Sequence, residues 1–140
     1  MSQQSNKERD YTHRSLTQKL GVQPEHRVYA RGIDGAFAKA LAQELDAPIA
    51  QTLRGDFDLI FLHVNALRDL DAIAKLALHL RPAGGLWILH PKGKGATPPE
   101  AVVRAAGLST GLVDNKVSAY TQTHTATRYV IPVARRKSRA

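Results

Sequence analysis

The chain has 140 residues, with 20 lysines and arginines against 12 aspartates and glutamates, a formal net charge of +8 and no cysteine. This length accommodates one domain, and the lack of cysteine excludes disulfide frameworks, zinc–thiolate centres and thiol nucleophiles. No apolar run reaches the ~18 residues that a membrane-spanning helix needs, and the polar N-terminus has no apolar signal-peptide core. We therefore expect a cytoplasmic protein that does not engage membranes.

The positive charge is concentrated at the C-terminus. Residues 135–140 contain four basic residues and no acid, so they carry half of the total charge of +8. Residues 21–134 contain 12 basic and 10 acidic residues and are close to balanced. We interpret residues 1–10 as a disordered leader, residues 11–134 as a single domain and residues 135–140 as a basic tail. This distribution does not predict specific nucleic-acid binding.

The first third of the chain predicts a helix, a strand and a second helix. Residues 12–20 have apolar side chains at helical spacing. Residues 27–31 predict a short strand that ends at Gly32. Asp34 is a suitable N-cap for the next helix, in which apolar residues recur every four positions between residues 37 and 45.

The segment Ile49–Leu53 leaves two alternatives open. It is weakly strand-like, and only the turn at residues 54–56 separates it from the next apolar run. Parallel neighbours need a crossover of about a dozen residues. The segment is therefore either outside the parallel sheet or an irregular edge piece.

The middle of the chain predicts two buried strands joined by a helix. Residues 57–64 are nearly all apolar, as in parallel strands that are covered on both faces. Apolar residues at helical spacing predict a helix over 67–81, which Pro82 to Gly85 should end. Residues 86–90 predict the second strand, stopped by Pro91.

The last third predicts a helix and an antiparallel strand pair. Residues 92–98 form a glycine-rich loop, and residues 99–106 predict a helix ended by Gly107. Residues 113–120 and 128–133 predict two strands joined by a short hairpin-like connection. The order predicts a Rossmann-like three-layer α/β sandwich, mostly parallel with an antiparallel last strand.

The aromatic residues give the expected core. Trp87, Phe61 and Tyr29 lie on predicted strands and should fill it. Tyr129, on the last predicted strand, is assigned either to the core or to the surface of a homo-oligomer, and the sequence leaves both open.

Two stretches resemble the second half of class I S-adenosylmethionine-dependent methyltransferases. They are the FDLI strand at residues 57–60 and the segment LRPAGGLWI at residues 80–88. In that family such a strand is followed by a helix, an L-R-P-G-G turn and the next strand. The resemblance covers about residues 56–134 and implies a shortened methyltransferase-like fold.

The whole chain is also similar to a family of small bacterial proteins of unknown function. The similarity rests on the YTHRSL opening at residues 11–16, the pair Pro91-Lys92, the segments AGL at 106–108 and GLVD at 111–114, and the basic end. This resemblance implies the same fold and brings no established activity.

The first resemblance also implies a cofactor site, which the sequence matches only in part. Methyltransferases need a glycine-rich turn after the first strand and an acid after the second strand for the ribose hydroxyls. Gly32 and Gly35 can supply the turn, although a tight strand-to-helix turn without a ligand is the simpler explanation of both glycines. Arg31 stands where an acid is expected, and Asp56 and Asp58 fall at the wrong end of the sheet. Our main interpretation has no cofactor, with S-adenosylmethionine as the alternative.

Open α/β sheets bind ligands beyond the carboxyl ends of their strands. The residues predicted at this edge, our candidate ligand-binding residues, follow separate strands or precede the returning one. They are Arg31, Gly32, Asp34, Gly35, His63, His90, Lys92, Lys94 and His124. Their convergence from separate segments singles out this edge.

Four interpretations of this edge remain open. His63, His90 and His124 supply nitrogen ligands for a metal, although none lies in a local metal motif. Lys92 and Lys94, on a glycine-rich loop, suit an anion such as phosphate or carboxylate. His63 or His90 is the candidate general base of an enzyme. In the simplest interpretation, the histidines only occupy strand ends and the lysines keep the loop soluble.

The leading hypothesis is a non-catalytic binding or regulatory domain that accepts a small anionic ligand or a protein partner at this edge. The alternative is a methyltransferase-like enzyme with an altered S-adenosylmethionine pocket. A second alternative is a basic nucleic-acid accessory protein that acts through its tail.

Overall fold

The structure, a computed structural model, describes residues 16–136. The predicted leader, the first part of the predicted N-terminal helix and residues 137–140 of the basic tail lie outside this range. The strands are β1 (Val28–Arg31), β2 (Phe57–His63), β3 (Leu80–Pro91), β4 (Val113–Ala119) and β5 (His124–Val130). The α-helices are α1 (Gly35–Glu44), α2 (Ile73–Ala77) and α3 (Glu100–Leu108), with 3-10 turns at Leu67–Ala72 and Val133–Arg135. Residues 16–19 are also helical.

The strands form one sheet in the order β1-β2-β3-β5-β4. β1, β2 and β3 are parallel, whereas β5 runs antiparallel to both of its neighbours. The predicted fold class is therefore confirmed. In the described residues, no helix is both long and apolar enough to cross a membrane.

Each face of the sheet carries its own hydrophobic cluster. On one face, α1 packs Phe37 and Leu41 against Phe61 and Trp87. On the other face, α2 and α3 cover a cluster that includes Tyr129. Phe61 and Trp87 are fully buried, and Tyr29 is 8% exposed, as the sequence predicts. Tyr129 is 1% exposed and belongs to the core.

The segment at residues 49–53 is an irregular edge piece. Ala50 forms a single parallel bridge with Tyr29, and its N–H donates to the Val28 carbonyl at 2.8 Å. The Arg27 guanidinium then donates to the carbonyl oxygens of Arg54 and Asp56, both at 2.7 Å. The edge piece and the turn at residues 54–56 therefore lead the chain back to the amino end of β2 without forming a complete strand.

The predicted helix over residues 67–81 is wrong in its last four residues, and so is the predicted break at residues 82–85. The helical part ends at Ala77, and β3 already begins at Leu80, which pairs with Phe57. The next pairing joins Leu59 to Gly85, so the intervening residues of β3 form a bulge. Strand pairing outweighs the helical spacing here because Leu80 is buried against the sheet.

Two boundaries near the C-terminus also differ from the prediction. β5 begins at His124 and ends at Val130, so residues 124–127 are strand and not connection. Gly107 lies inside α3, where an added Cβ would collide with the Tyr129 ring. It is therefore a packing residue and not a helix end.

Candidate functional site

The carboxyl ends of β1 and β2 meet at Gly32. This residue has φ +79°, a conformation that favours glycine. A Cβ at Gly32 would lie 3.4 Å from the His63 Cβ and 3.5 Å from its carbonyl oxygen. Gly32 therefore lets the end of β1 approach the end of β2.

Asp34 and Gly35 start α1. One Asp34 carboxylate oxygen accepts from the Phe37 N–H at 2.8 Å, as a helix N-cap does. A Cβ at Gly35 would meet nothing within 4 Å. Asp34 therefore has a structural role that the sequence predicts, and no close approach within the chain requires glycine at position 35.

His63 and His124 come together at this edge. Their ring centroids are 4.4 Å apart, with an angle of 33° between the planes. Asn65 bridges them: its Nδ2 lies 3.1 Å from His63 Nδ1, and its Oδ1 lies 2.9 Å from His124 Nε2. Thr123 Oγ1 lies 2.9 Å from the remaining nitrogen of His124, Nδ1. We name this group the histidine pair (His63, Asn65, Thr123 and His124).

The hydrogen bonds fix the proton of His63 and one proton of His124. His124 Nε2 also lies 3.3 Å from the Val64 carbonyl, which only accepts, so this nitrogen carries a proton. The Asn65 amide N–H can only donate, so His63 Nδ1 accepts from it and the His63 ring is neutral. The free donor is His63 Nε2–H, which has no hydrogen-bond partner within residues 16–136.

Electrostatics also favour a neutral His63 ring. Burial, followed by the nearby His124, lowers the pKa of His63 below its usual value. Asp34 and Asp69 oppose this shift without reversing it. His63 is therefore uncharged at neutral pH.

Tyr120 lies beside the histidine pair. Its ring meets Phe37 edge-on at 5.1 Å and lies 6.3 Å from the His63 ring, measured between centroids. Its hydroxyl is buried and has no hydrogen-bond partner among the described residues. Burial raises the pKa of Tyr120, so the hydroxyl stays protonated. Sequence reasoning missed Tyr120 and Asn65, although both lie close in sequence to the predicted histidines.

An open cleft of about 570 Å³ lies at the carboxyl ends of β1 and β2. It is lined by Arg31, Gly32, Leu62, His63, Arg68, Asp69, Asp71, Ala72 and Lys75. We name it the β1–β2 cleft. Three of the predicted site residues, Arg31, Gly32 and His63, thus line one cavity.

The charges of the β1–β2 cleft favour an anion. Three basic residues line it against two acids. One acid, Asp69, already accepts from the backbone N–H groups of Asn65 and Ala66 at 2.8 and 2.9 Å. Arg68 and Lys75 make no hydrogen bond or ion pair with the described residues. Their charges are therefore available to a ligand.

His90 is separated from the other two histidines. It is 2% exposed, and its Nε2 lies 2.9 Å from Thr127 Oγ1. Alternation along β3 places it on the α2–α3 face with Leu86 and Ile88, whereas His63 shares the opposite face with Phe61. Residues 16–136 contain no group of three metal-ligating side chains, so a three-histidine metal site is not assembled.

Lys92 and Lys94 are exposed and do not line the β1–β2 cleft. The Lys92 N–H donates to the Thr123 carbonyl at 3.0 Å, which ties the loop to the β4–β5 turn. Gly93 and Gly95, with φ of +89° and +79°, shape this loop. The structure thus divides the predicted edge into a cleft, a buried histidine and a separate lysine loop.

No protein-family model and no curated protein matches the sequence. Solved structures do match its fold. The LaPhzM crystal structure has a TM-score of 0.64 at 10% identity, covering 87% of this chain and 55% of that chain. CalO1, a methyltransferase in calicheamicin biosynthesis in its SAH-bound form, has a TM-score of 0.62 at 15% identity, with coverage of 87% and 54%. The chain spans about half the length of both proteins.

A TehB-like SAM-dependent methyltransferase from Corynebacterium glutamicum has a TM-score of 0.54 at 14% identity, covering 85% of this chain and 86% of that chain. These likenesses show a methyltransferase-like fold, which agrees with the first sequence resemblance.

The described residues do not supply a complete S-adenosylmethionine site of the expected kind. Gly32 provides the turn, but the residue before it is Arg31, which lines the cleft with a positive charge. Asp56, which follows the edge piece, is held at the amino end of β2 by Arg27. The acids that do line the cleft at the carboxyl edge, Asp69 and Asp71, follow β2 and not the edge piece, after which the acid for the ribose hydroxyls is expected.

Proposed function

We propose that the protein is a non-catalytic binding or regulatory domain on a methyltransferase-like fold, and that it binds a small anionic ligand in the β1–β2 cleft. The observation that carries this proposal is the group of Arg31, Arg68 and Lys75 around a cavity of about 570 Å³. The cavity opens at the end of the sheet where open α/β folds bind ligands.

The chemistry of the cleft fits a phosphate or carboxylate group. An arginine guanidinium binds a phosphate or a carboxylate with two parallel hydrogen bonds. Arg68 and Lys75 have no partner among the described residues, and Asp69 is already engaged by backbone N–H groups. The volume falls within the ~300–1,000 Å³ range of small-molecule sites, so the ligand class is a mononucleotide-sized anion.

The histidine pair supports binding over catalysis. A general base must have a free nitrogen lone pair. The Asn65 amide occupies the lone pair of His63, and both nitrogens of His124 are already engaged in hydrogen bonds, Nδ1 with Thr123 Oγ1 and Nε2 with Asn65 Oδ1. His63 presents an N–H, which is a hydrogen-bond donor and not a base. His90 is buried on the opposite face against Thr127.

The test is an NMR titration of the full chain with adenosine monophosphate (AMP). We expect saturable shifts at the backbone amides of Gly32 and His63. Replacing both arginines, Arg31→Gln with Arg68→Gln, should weaken binding by roughly tenfold or more, because charge-assisted hydrogen bonds contribute about 1.5–3 kcal/mol each. The control Lys39→Gln removes an exposed charge on α1 outside the cleft and should leave affinity unchanged.

The lysine loop is the competing location for the anion. If AMP binds there, Lys92→Gln with Lys94→Gln weakens binding and the double arginine variant does not. That result would contradict the assignment to the β1–β2 cleft.

A second candidate function is a methyltransferase-like enzyme with an altered S-adenosylmethionine pocket. The fold comparison favours it, since CalO1 carries SAH and the Corynebacterium protein is SAM-dependent. The lack of the expected ribose-binding acid after the edge piece argues against an S-adenosylmethionine pocket. Binding of SAH separates the two candidates.

A further inference from the structure

A second cavity, of about 620 Å³, lies at the opposite end of the sheet. It is bounded by the segment around Leu20, the amino ends of β2 and β3, the start of β4 and the second half of β5. We name it the Arg128 cavity. It shares no lining residue with the β1–β2 cleft.

Arg128 is the central feature of this cavity. It pairs with Trp87 across the sheet, and its side chain lies over Gly85. A Cβ at Gly85 would collide with the guanidinium, so the glycine makes room for it. The Arg128 side chain is half-buried and makes no hydrogen bond or ion pair with residues 16–136.

A half-buried guanidinium without an acceptor is unfavourable, because arginine stays charged at any physiological pH. Burial lowers the pKa of Arg128, and the nearby positive charge of Arg136 lowers it further. Both effects raise the free energy of the charged form. A bound anion would relieve both.

The other polar groups of the cavity are mainly donors. The Lys116 ammonium donates to the Lys19 carbonyl at 2.7 Å, which fixes its position at the cavity. His26 accepts from the Gln23 N–H through Nδ1, so its Nε2 carries the proton when the ring is neutral.

The one acid among the lining residues is already neutralised. Asp58 forms an ion pair with Arg81 at 3.0 Å and accepts from the Arg27 N–H at 2.7 Å. Lys116 and Arg128 therefore remain as two positive charges that no lining acid balances.

We propose that the Arg128 cavity is a second ligand site, which binds a small molecule carrying a carboxylate or phosphate group, with Arg128 as the principal contact and Lys116 as the second. The site is independent of the β1–β2 cleft in its residues and in its position in the fold.

The test follows the Arg128 side-chain Nε–Hε signal of the full chain by NMR during titration with inorganic phosphate and, separately, with citrate. A saturable shift of this signal with either anion supports the site. The anion that binds with the higher affinity shows whether the site prefers a phosphate or a carboxylate group. In Arg128→Gln, binding is followed through the backbone amide of Gly84, which also lines the cavity, and the affinity should be at least tenfold lower than in the wild type measured in the same way. Lys39→Gln, which removes a charge outside both cavities, should leave the affinity unchanged.

Two further variants test the Arg128 cavity independently of Arg128→Gln and separately from the β1–β2 cleft. Lys116→Gln should weaken binding several-fold, and it decides the matter if Arg128→Gln fails to fold. The double variant Arg31→Gln with Arg68→Gln should retain the Arg128 response, so a failed cleft and a failed cavity are distinguishable. An unmoved Nε–Hε signal at saturating phosphate and citrate, or equal affinity in wild type and both cavity variants, would overturn the proposal.

Discussion

The imidazole rings of His63 and His124 lie with their centroids 4.4 Å apart and their planes tilted by 33°. One ring ends β2 and the other begins β5, so β3 separates their strands in the sheet. Asn65 holds both rings through the two ends of its amide. Because this arrangement occupies the lone pair of His63 and leaves its Nε2–H without a partner among the described residues, it places one hydrogen-bond donor beside a basic cleft.

Changing the bridge between the histidines should change the pKa of His63. In Asn65→Asp, a carboxylate oxygen replaces the amide donor and can only accept, so His63 must carry a proton at Nδ1. The added negative charge also favours the imidazolium. We expect the pKa of His63 to rise above its wild-type value, measured from the ring C–H signals in an NMR pH titration. Asn115→Asp, at the other end of the sheet, is the control. An unchanged pKa in Asn65→Asp would contradict the assigned hydrogen-bond pattern.

Stability should fall as the pH is lowered. Burial lowers the pKa values of both His63 and His90 in the folded state. As pH falls through the usual histidine value of about 6.5, the unfolded chain takes up protons first, which favours unfolding. We expect the free energy of unfolding, measured with urea, to be lower at pH 5.5 than at pH 7.5. His90→Gln should make this dependence shallower. A stability that rises toward acid pH in the wild type would show that these histidines do not control it.

Gly32 and Gly35 offer a matched pair of substitutions. Gly32→Ala should destabilise the fold by about 1 kcal/mol or more, because alanine at φ +79° is strained and its Cβ contacts His63. Gly35→Ala places a Cβ in open space at the first residue of α1. It should change stability by less than about 0.5 kcal/mol. Urea unfolding of both variants checks this, and equal effects would show that the turn does not need glycine at position 32.

Removing the Tyr120 hydroxyl should not harm the fold. This hydroxyl is buried without a hydrogen-bond partner in the described residues. Such a group costs stability on the order of 1–3 kcal/mol. Tyr120→Phe should therefore unfold at the same or a higher temperature, whereas Phe37→Ala, which removes the ring that Tyr120 meets edge-on, should unfold at a lower one. A lower melting temperature for Tyr120→Phe would contradict this expectation, because it would show that the hydroxyl makes a stabilising hydrogen bond.

Much of the fold follows from local sequence patterns. The apolar runs at residues 57–64 and 86–90 locate the buried parts of β2 and β3, and Asp34 caps α1 as predicted. The predicted helix end at residue 81 failed because the register of β3 depends on Phe57, a partner distant in sequence. A pattern confined to one segment carries no information about such a partner.

The candidate site was less accessible to sequence reasoning. The topology brings Arg31, Gly32 and His63 to one cleft, as the strand order predicts. The face on which His90 lies follows from alternation along β3, so its separation from His63 could have been derived once the strand was assigned. The roles of Asn65 and Tyr120 depend on how side chains pack between β2 and the β4–β5 hairpin, which no local pattern encodes.

The most direct test of anion binding in the β1–β2 cleft is a comparison of two ligands by NMR titration of the full wild-type chain: AMP and, in a parallel sample, SAH. We expect AMP to shift the Gly32 and His63 amides saturably, while SAH at millimolar concentration leaves them in place. Saturable shifts of the same amides by micromolar SAH, with no response to AMP, would contradict the proposed function and favour the methyltransferase alternative.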